Sequence, residues 1–93
     1  MPVASARHIL VYSEEACLDL KKQIEEGTDF AEAAKTHSQC PSGSRGGELG
    51  SFRPGQMVPE FDKAVFTGNV GELQGPIKTE FGYHLLEVTS RQD

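Results

Sequence analysis

Residues 3–12 carry apolar side chains on both alternating sets. Val3, Ser5, Arg7, Ile9 and Val11 share one face of a strand, and Ala4, Ala6, His8, Leu10 and Tyr12 share the other. Two partly apolar faces predict a central strand covered on both sides. The period then changes. Cys17, Leu20 and Ile24 recur at helical spacing, with Asp19, Lys22, Gln23 and Glu26 on the solvated face. Ser13 is placed to cap this helix, Glu14 and Glu15 fill its first turn, and Gly27 stops it. Asp29 with Glu32 opens a second helix as an Asp variant of the capping box. Phe30, Ala33, Ala34 and His37 form its apolar side, and it fades at Ser38-Gln39. His37 reads as a helix-end residue near the free carbonyls rather than as a catalytic one.

Residues 40–62 break both periods. They hold Gly43, Gly46, Gly47, Gly50 and Gly55, half of the 10 glycines, and Pro41, Pro54 and Pro59, three of the 5 prolines. Residues 45–50 cannot form a long helix, because closely spaced glycine makes the ordered backbone entropically costly. A plain linker is polar throughout, yet Leu49, Phe52, Met57, Val58 and Phe61 recur here. The stretch therefore reads as a shaped surface on a rigid backbone, or else as a loop that merely covers the core. Leu49-Gly50-Ser51-Phe52 reads as a short strand and Pro54-Gly55 as a turn. Pro59 starts a helix over residues 59–66 with Phe61 and Val65 inward, broken by Thr67-Gly68-Asn69.

Residues 70–73 are a connection. Gly75-Pro76-Ile77-Lys78 reads as a short strand, Thr79-Glu80-Phe81-Gly82 as a reversal, and residues 83–89 as a second strand. In that strand His84, Leu86 and Val88 share one face, and Tyr83, Leu85 and Glu87 the other. The order β-α-α-β-α-β-β predicts an α+β fold with helices packed around one sheet.

Size and charge narrow the function. The 93 residues form a single domain, 1–93, with one modest core and no need of a disulfide or metal. A net charge of −5 without a basic run argues against nucleic acid as partner. No stretch approaches the ~20 apolar residues of a membrane span. Met1-Pro2-Val3-Ala4-Ser5 lacks the basic and apolar regions of a signal peptide. Cys17 and Cys40 make no disulfide framework, so reduced thiols in a cytoplasmic, monomeric protein are the simplest reading.

Three blocks then fall in order. They are Cys40-Pro41-Ser42-Gly43, Gly46-Gly47-Glu48-Leu49-Gly50-Ser51-Phe52, and Gly55-Gln56-Met57-Val58-Pro59-Glu60-Phe61-Asp62. Together they resemble the signature of the parvulin-type peptidyl-prolyl cis/trans isomerases. The likeness extends to Arg7-His8-Ile9-Leu10-Val11 and to Gly75-Pro76-Ile77-Lys78-Thr79-Glu80-Phe81-Gly82-Tyr83-His84, so it covers nearly the whole chain. The resemblance implies a four-stranded antiparallel sheet with the first and last strands adjacent at its centre. His8 and His84 are then expected opposite each other, with Cβ atoms ~5 Å apart, beneath the active-site floor. It implies Leu49, Met57 and Phe61 around a substrate proline ring, Cys40 beside the reacting peptide bond, Thr79 in the histidine network and Phe81 on the rim. Taken alone, His8 would read as a half-buried structural histidine.

The reaction so implied rotates an X–Pro bond against a barrier of ~18–20 kcal/mol. No bond breaks, so no cofactor, metal or activated water is required. An apolar slot suits the twisted imide, whose carbonyl has lost resonance and polarity. One rival is nucleophilic attack by Cys40 with a nearby histidine, for which Arg45 alone in the neighbouring sequence would favour a thiolate. Another is metal binding by His8, His84 and Cys40, whose long spacings match no compact zinc motif. A third is a non-catalytic module that holds proline-containing peptides and unfolded proteins in the same groove. Some parvulins read a phosphate before the proline with a basic loop after the first strand. Here Leu10-Val11-Tyr12-Ser13-Glu14-Glu15 carries no Lys or Arg, so substrates without phosphate are expected.

Overall fold

The structure, a computed structural model, describes residues 2–92. Its elements are β1 (Val3–Val11), α1 (Glu14–Glu25), α2 (Phe30–His37), a 3-10 turn (Pro41–Arg45), β2 (Glu48–Phe52), α3 (Pro59–Thr67), β3 (Leu73–Thr79) and β4 (Gly82–Gln92). The four strands form one sheet in the order β2-β1-β4-β3, every neighbour antiparallel. This is the expected parvulin arrangement, with the first and last strands side by side at the centre.

Each central strand has two covered faces, as its alternation requires. Ile9 and Val11 of β1 and Leu85 of β4 pack on Cys17 and Leu20 of α1 and on Phe30, Ala33 and Ala34 of α2. Ala4, Ala6, Leu86 and Val88 face the other way, onto Phe52 of β2 and Phe61 and Val65 of α3. Arg7 and Glu87 lie directly opposite each other. Their side chains pair at 2.6 Å, and the Arg7 guanidinium stands 4.6 Å above the centre of the Phe30 ring.

The helix starts follow from their caps. Ala16 N–H donates to Ser13 Oγ at 3.1 Å, and Glu32 N–H to Asp29 Oδ2 at 3.1 Å. The reciprocal half of the capping box does not form, since Glu32 leans toward Lys35 instead. His37 departs from its expected place: it ends α2 but is exposed, outside the apolar side. The two C-terminal strands are longer than the pattern predicts: β3 begins at Leu73, expected in the connection, because Leu73 and Gln74 already pair with Glu87 and Leu86, and pairing of β4 with β1 continues past Val88 to Gln92. The Gly75–Pro76 peptide is cis and lies where the β3–β4 register shifts, between Gln74 and Ile77.

The glycine-rich stretch gains a 3-10 turn that periodicity does not reveal. Cys40 precedes it and Pro41 is its first residue. It closes on Gly46-Gly47, both at positive φ. Gly47 O accepts from His8 N–H at 2.9 Å, and Gly47 N–H donates to Ser42 O at 2.9 Å. A Cβ on Gly47 would overlap the His8 carbonyl oxygen. The glycine thus lets the turn press against β1.

Gly47→Ala should be severely destabilising, by more than ~3 kcal/mol, because the colliding atoms belong to the His8 backbone and not to a flexible side chain. Gly50 is the control. It also has positive φ (76°), but a Cβ there meets nothing within 4 Å. Gly50→Ala should cost only the left-handed backbone penalty, ~1–2 kcal/mol. Urea unfolding of both variants checks the contrast, and equal losses would refute it.

Candidate active site

The site begins at the two central strands. His8 points from β1 to the α3 side of the sheet, as does His84 from β4. They do not face each other directly, as expected from pairing alone. His8 lies opposite Leu86 and Leu10 opposite His84, so the histidines are diagonal neighbours. A diagonal offset of two keeps both on one face, and imidazoles are long enough to span it. Their Nδ1 atoms are 3.2 Å apart and the rings stack with centroids 5.4 Å apart. Both are fully buried, at 5% and 4% exposure.

Burial holds both rings neutral. The His8 pKa is pushed down to about 4 by loss of water, with repulsion from His84 adding to it. His84 is pushed down to about 4 by burial. A neutral imidazole has one donor and one acceptor nitrogen, so the neighbours fix each tautomer. Ser42 Oγ donates its single proton to Cys40 Sγ at 3.3 Å. His8 Nε2, 3.0 Å from Ser42 Oγ, must therefore be the donor to it. Nδ1 of His8 is then an acceptor, and Nδ1–H of His84 donates to it. Nε2 of His84 accepts in turn from Thr79 Oγ1 at 2.7 Å. Thr79 Oγ1 itself accepts from Phe81 N–H at 3.2 Å. One directed chain of hydrogen bonds runs from the Phe81 amide to the Cys40 sulfur.

Above this chain lies an apolar cavity of about 350 Å³, lined by Leu49, Met57, Val58, Phe61, Phe81, Leu10 and Pro41, with Gln39, Cys40 and the two histidines. Phe61 ties wall to floor. Its ring stands edge-on to His84 at 4.5 Å and to His8 at 5.4 Å. Phe61 is buried, Leu49, Met57 and Val58 are half-buried, and Phe81 is 57% exposed at the mouth. No Lys or Arg lines the cavity. Thr79 is buried and does not line it; it joins the site through His84.

The structure thus brings His8, Cys40, Leu49, Met57, Phe61, Thr79, Phe81 and His84 to one place. It adds Ser42, which the sequence reading did not single out. A serine in a Pro-Ser-Gly-Ser run reads as solvated. Ser42 is buried because the turn packs onto α2: a Cβ on Gly43 would come within 2.9 Å of Ala34 O. The glycine after Ser42 was the available signal. Among the described residues, no three of His, Cys, Asp or Glu converge as metal ligands. Cys17 lies far from this chemistry, buried in the α1 side of the core, and burial pushes its thiol up to about 11.

The depressed histidines set a pH dependence for folding. Below the ordinary value of 6.5, the unfolded chain takes up protons that the folded one refuses until about 4. Stability is therefore highest above pH ~6.5 and falls as pH drops from 6.5 toward 4. Urea unfolding at pH 7.5, 5.5 and 4.5 should show this loss, and a shallower one in His84→Leu. Equal stability at pH 7.5 and 5.5 would contradict the neutral buried pair.

Comparison with known proteins places this geometry. The sequence profile of the rotamase family, the PPIC-type PPIase domain, matches residues 8–90. Foldase protein PrsA of Geobacillus kaustophilus (strain HTA426) is 45% identical over 92 residues, a match covering 98% of this chain and 33% of that protein. The crystal structure of the peptidylprolyl isomerase PrsA from Bacillus anthracis superposes with a TM-score of 0.95 at 38% identity. That superposition covers 99% of this chain and 43% of the other. NmPin, the parvulin of Nitrosopumilus maritimus, superposes in solution structure with a TM-score of 0.86 at 35% identity, over 97% of this chain and 98% of its own. The chain spans about a third of the length of the curated foldase it matches. The profile runs through both histidines, the glycine-rich turn and the terminal hairpin, and the chain belongs to the parvulin family of peptidyl-prolyl cis/trans isomerase domains.

Proposed function

We propose that the chain catalyses cis/trans isomerisation of X–Pro bonds in flexible or unfolded protein segments, by a non-covalent route and without need of phosphate. The observation that carries this reading is the apolar cavity seated on a neutral, fully hydrogen-bonded histidine pair. A proline ring fits a slot walled by Leu49, Met57 and Phe61. Phe61 is held edge-on by both imidazoles, so the slot is a rigid clamp. With the ring clamped, the acyl side of the bond rotates. The twisted imide carbonyl has lost resonance, so an apolar wall costs it less than it costs the planar ground state. A barrier lowered by ~7 kcal/mol gives about five orders of magnitude in rate.

The hydrogen-bond directions weigh against attack by Cys40. A nucleophilic thiol needs a base to take its proton. The nearer imidazole, His8, already donates from Nε2 toward Ser42 and accepts at Nδ1, so neither nitrogen is free for that task. Cys40 is better read as a small polar group at the edge of the slot, beside the reacting bond. The surroundings also disfavour a phosphate before the proline. Glu14 and Glu15 occupy the first turn of α1, and Glu60 and Glu80 line a cleft that shares Val58 with the apolar cavity. A phosphate near −2 charge meets repulsion there. A second use of the same groove, holding unfolded segments without turnover, is favoured by the likeness to one part of a longer foldase.

NMR exchange between cis and trans peptide should accelerate on adding the protein in the presence of a chelator. No acceleration by folded protein would replace the enzyme with the binding module. Met57→Ala should lower kcat/KM about tenfold, ~1.4 kcal/mol, with little change in Tm because Met57 is only half-buried. Cys40→Ser should keep a substantial part of the activity, whereas a covalent route would lose nearly all of it.

Substrates with Leu, Glu and phosphoserine before the proline test the charge argument. Leucine should lead. A phosphoserine substrate more than about tenfold faster than leucine, ~1.4 kcal/mol in the transition state, would reveal a phosphate site and overturn it.

A further inference from the structure

A larger cleft, of about 520 Å³, opens at the same end of the central strands but on the other side of the sheet, between α1 and the end of α2. Ala16 and Leu20 form its apolar floor, with Tyr12, Asp19, His37 and Gln39 around it. Gln39 lines both this cleft and the apolar cavity, so the two meet over the end of β1. Leu10 lines the cavity and Tyr12 the cleft.

An exposed aromatic side chain stands at each mouth. Tyr12 is 69% exposed and Phe81 is 57% exposed. A Cβ on Gly82, the residue after Phe81, would touch the Tyr12 ring at 3.4 Å. Tyr12 therefore borders the cleft and Phe81 the cavity, with Gln39 common to both. The cleft also has a sign. Asp19 forms no ion pair or hydrogen bond among the described residues, not even with Lys22 one turn on. Glu15, one turn before it, and Glu26, two turns on at the end of α1, are exposed on the same side beside one cation, Lys22, in a chain of net charge −5.

We propose that the Tyr12–Asp19 cleft is a distal subsite of the substrate groove, which takes a lysine or arginine side chain of the bound polypeptide a few residues from the isomerised proline. The proposal rests on the isomerase reading of the adjoining cavity. Long cationic side chains match the cleft atom class by atom class. Their methylene stems cover Ala16 and Leu20, and the charged head reaches the Asp19 carboxylate and the Tyr12 ring. An acidic side chain would meet like charge instead. Passing over the end of one sheet layer, ~10 Å, takes about three extended residues at ~3.3 Å each. The cation is therefore expected three or four residues from the proline.

The test uses peptides with a constant Ala-Leu-Pro core and Lys, Ala or Glu placed four residues from the proline, on either side in turn. Rates are read by NMR exchange, and binding by amide shifts at Tyr12 and Asp19. On one side of the proline, the lysine peptide should exceed the alanine peptide in kcat/KM by about fivefold, ~1 kcal/mol at 1.4 kcal/mol per decade. The glutamate peptide should fall below alanine. The gain should shrink in 1 M salt, where the screening length is ~3 Å. Asp19→Asn and Tyr12→Ala should each remove most of the lysine preference and leave the rate on a short Ala-Leu-Pro-Phe peptide unchanged. Asp19→Lys should turn the preference toward glutamate. Lysine and alanine peptides within twofold of each other on both sides, with the short peptide turned over normally, would overturn the subsite. If the short peptide is not turned over, the isomerase reading fails instead. Amide shifts then decide the subsite: tighter binding of the lysine peptide with shifts at Tyr12 and Asp19 supports it, and their absence overturns it.

Discussion

The hydrogen bond between two uncharged imidazoles, His8 on β1 and His84 on β4, is the constraint on which the rest of the molecule depends. Buried polar groups destabilise a core unless each donor and acceptor finds a partner. Here each ring engages both of its nitrogens. The partners come from four separate segments: the two central strands, the 3-10 turn through Ser42, and the end of β3 through Thr79. The chain of bonds is satisfied only when all four are docked together. Slipping any segment therefore leaves a buried imidazole nitrogen without its partner. A network of this kind makes incomplete assemblies costly, which fixes one arrangement among compact alternatives.

The apolar cavity is the upper surface of that network. Phe61 packs edge-on against both imidazoles, Pro41 and Cys40 enter with the 3-10 turn, and Phe81 with the turn after Thr79. The polar floor and the apolar walls are therefore positioned by the same contacts. That coupling explains why histidines can matter to a reaction in which they touch no ionised group. They hold walls at fixed spacing, and fixed spacing is what a clamp on a proline ring requires.

Much of this was legible in the chain. Ser13 and Asp29 announced their helices through short polar side chains beside helical periodicity, and both cap as read. The two-faced alternation of residues 3–12 identified a central strand. What alternation cannot give is register by steps of two, since a shift of two residues leaves every side chain on its own face. His8 and His84 were hence assigned to the right face but to direct opposition, where the structure has them diagonal. Ser42 was illegible for a different reason. Its burial comes from a tertiary approach, Gly43 against Ala34, and not from any local pattern. His37 has the helical spacing of Phe30, Ala33 and Ala34, yet it is exposed, because at its place the cleft opens between α1 and the end of α2.

The distribution of charge follows the demands of the chemistry. Rotating an imide bond develops no net charge, so ionised groups at the reacting atoms would stabilise the polar planar state over the twisted one. The cavity walls carry no carboxylate, ammonium or guanidinium, and burial keeps the two histidines beneath neutral. The carboxylates stand instead on the approaches: Glu60 and Glu80 beside the slot, Asp19 and its acidic neighbours behind the strand ends. On the proposed mechanism, charges placed there act on the polypeptide and leave the rotating bond alone. Binding that is equal in the ground and transition states lowers KM without raising kcat. The proposed isomerase would thus select its segment by charge at a distance from the proline and accelerate rotation by shape and low polarity at it. For the Asp19 cleft the separation is structural, because the sheet lies between it and the cavity.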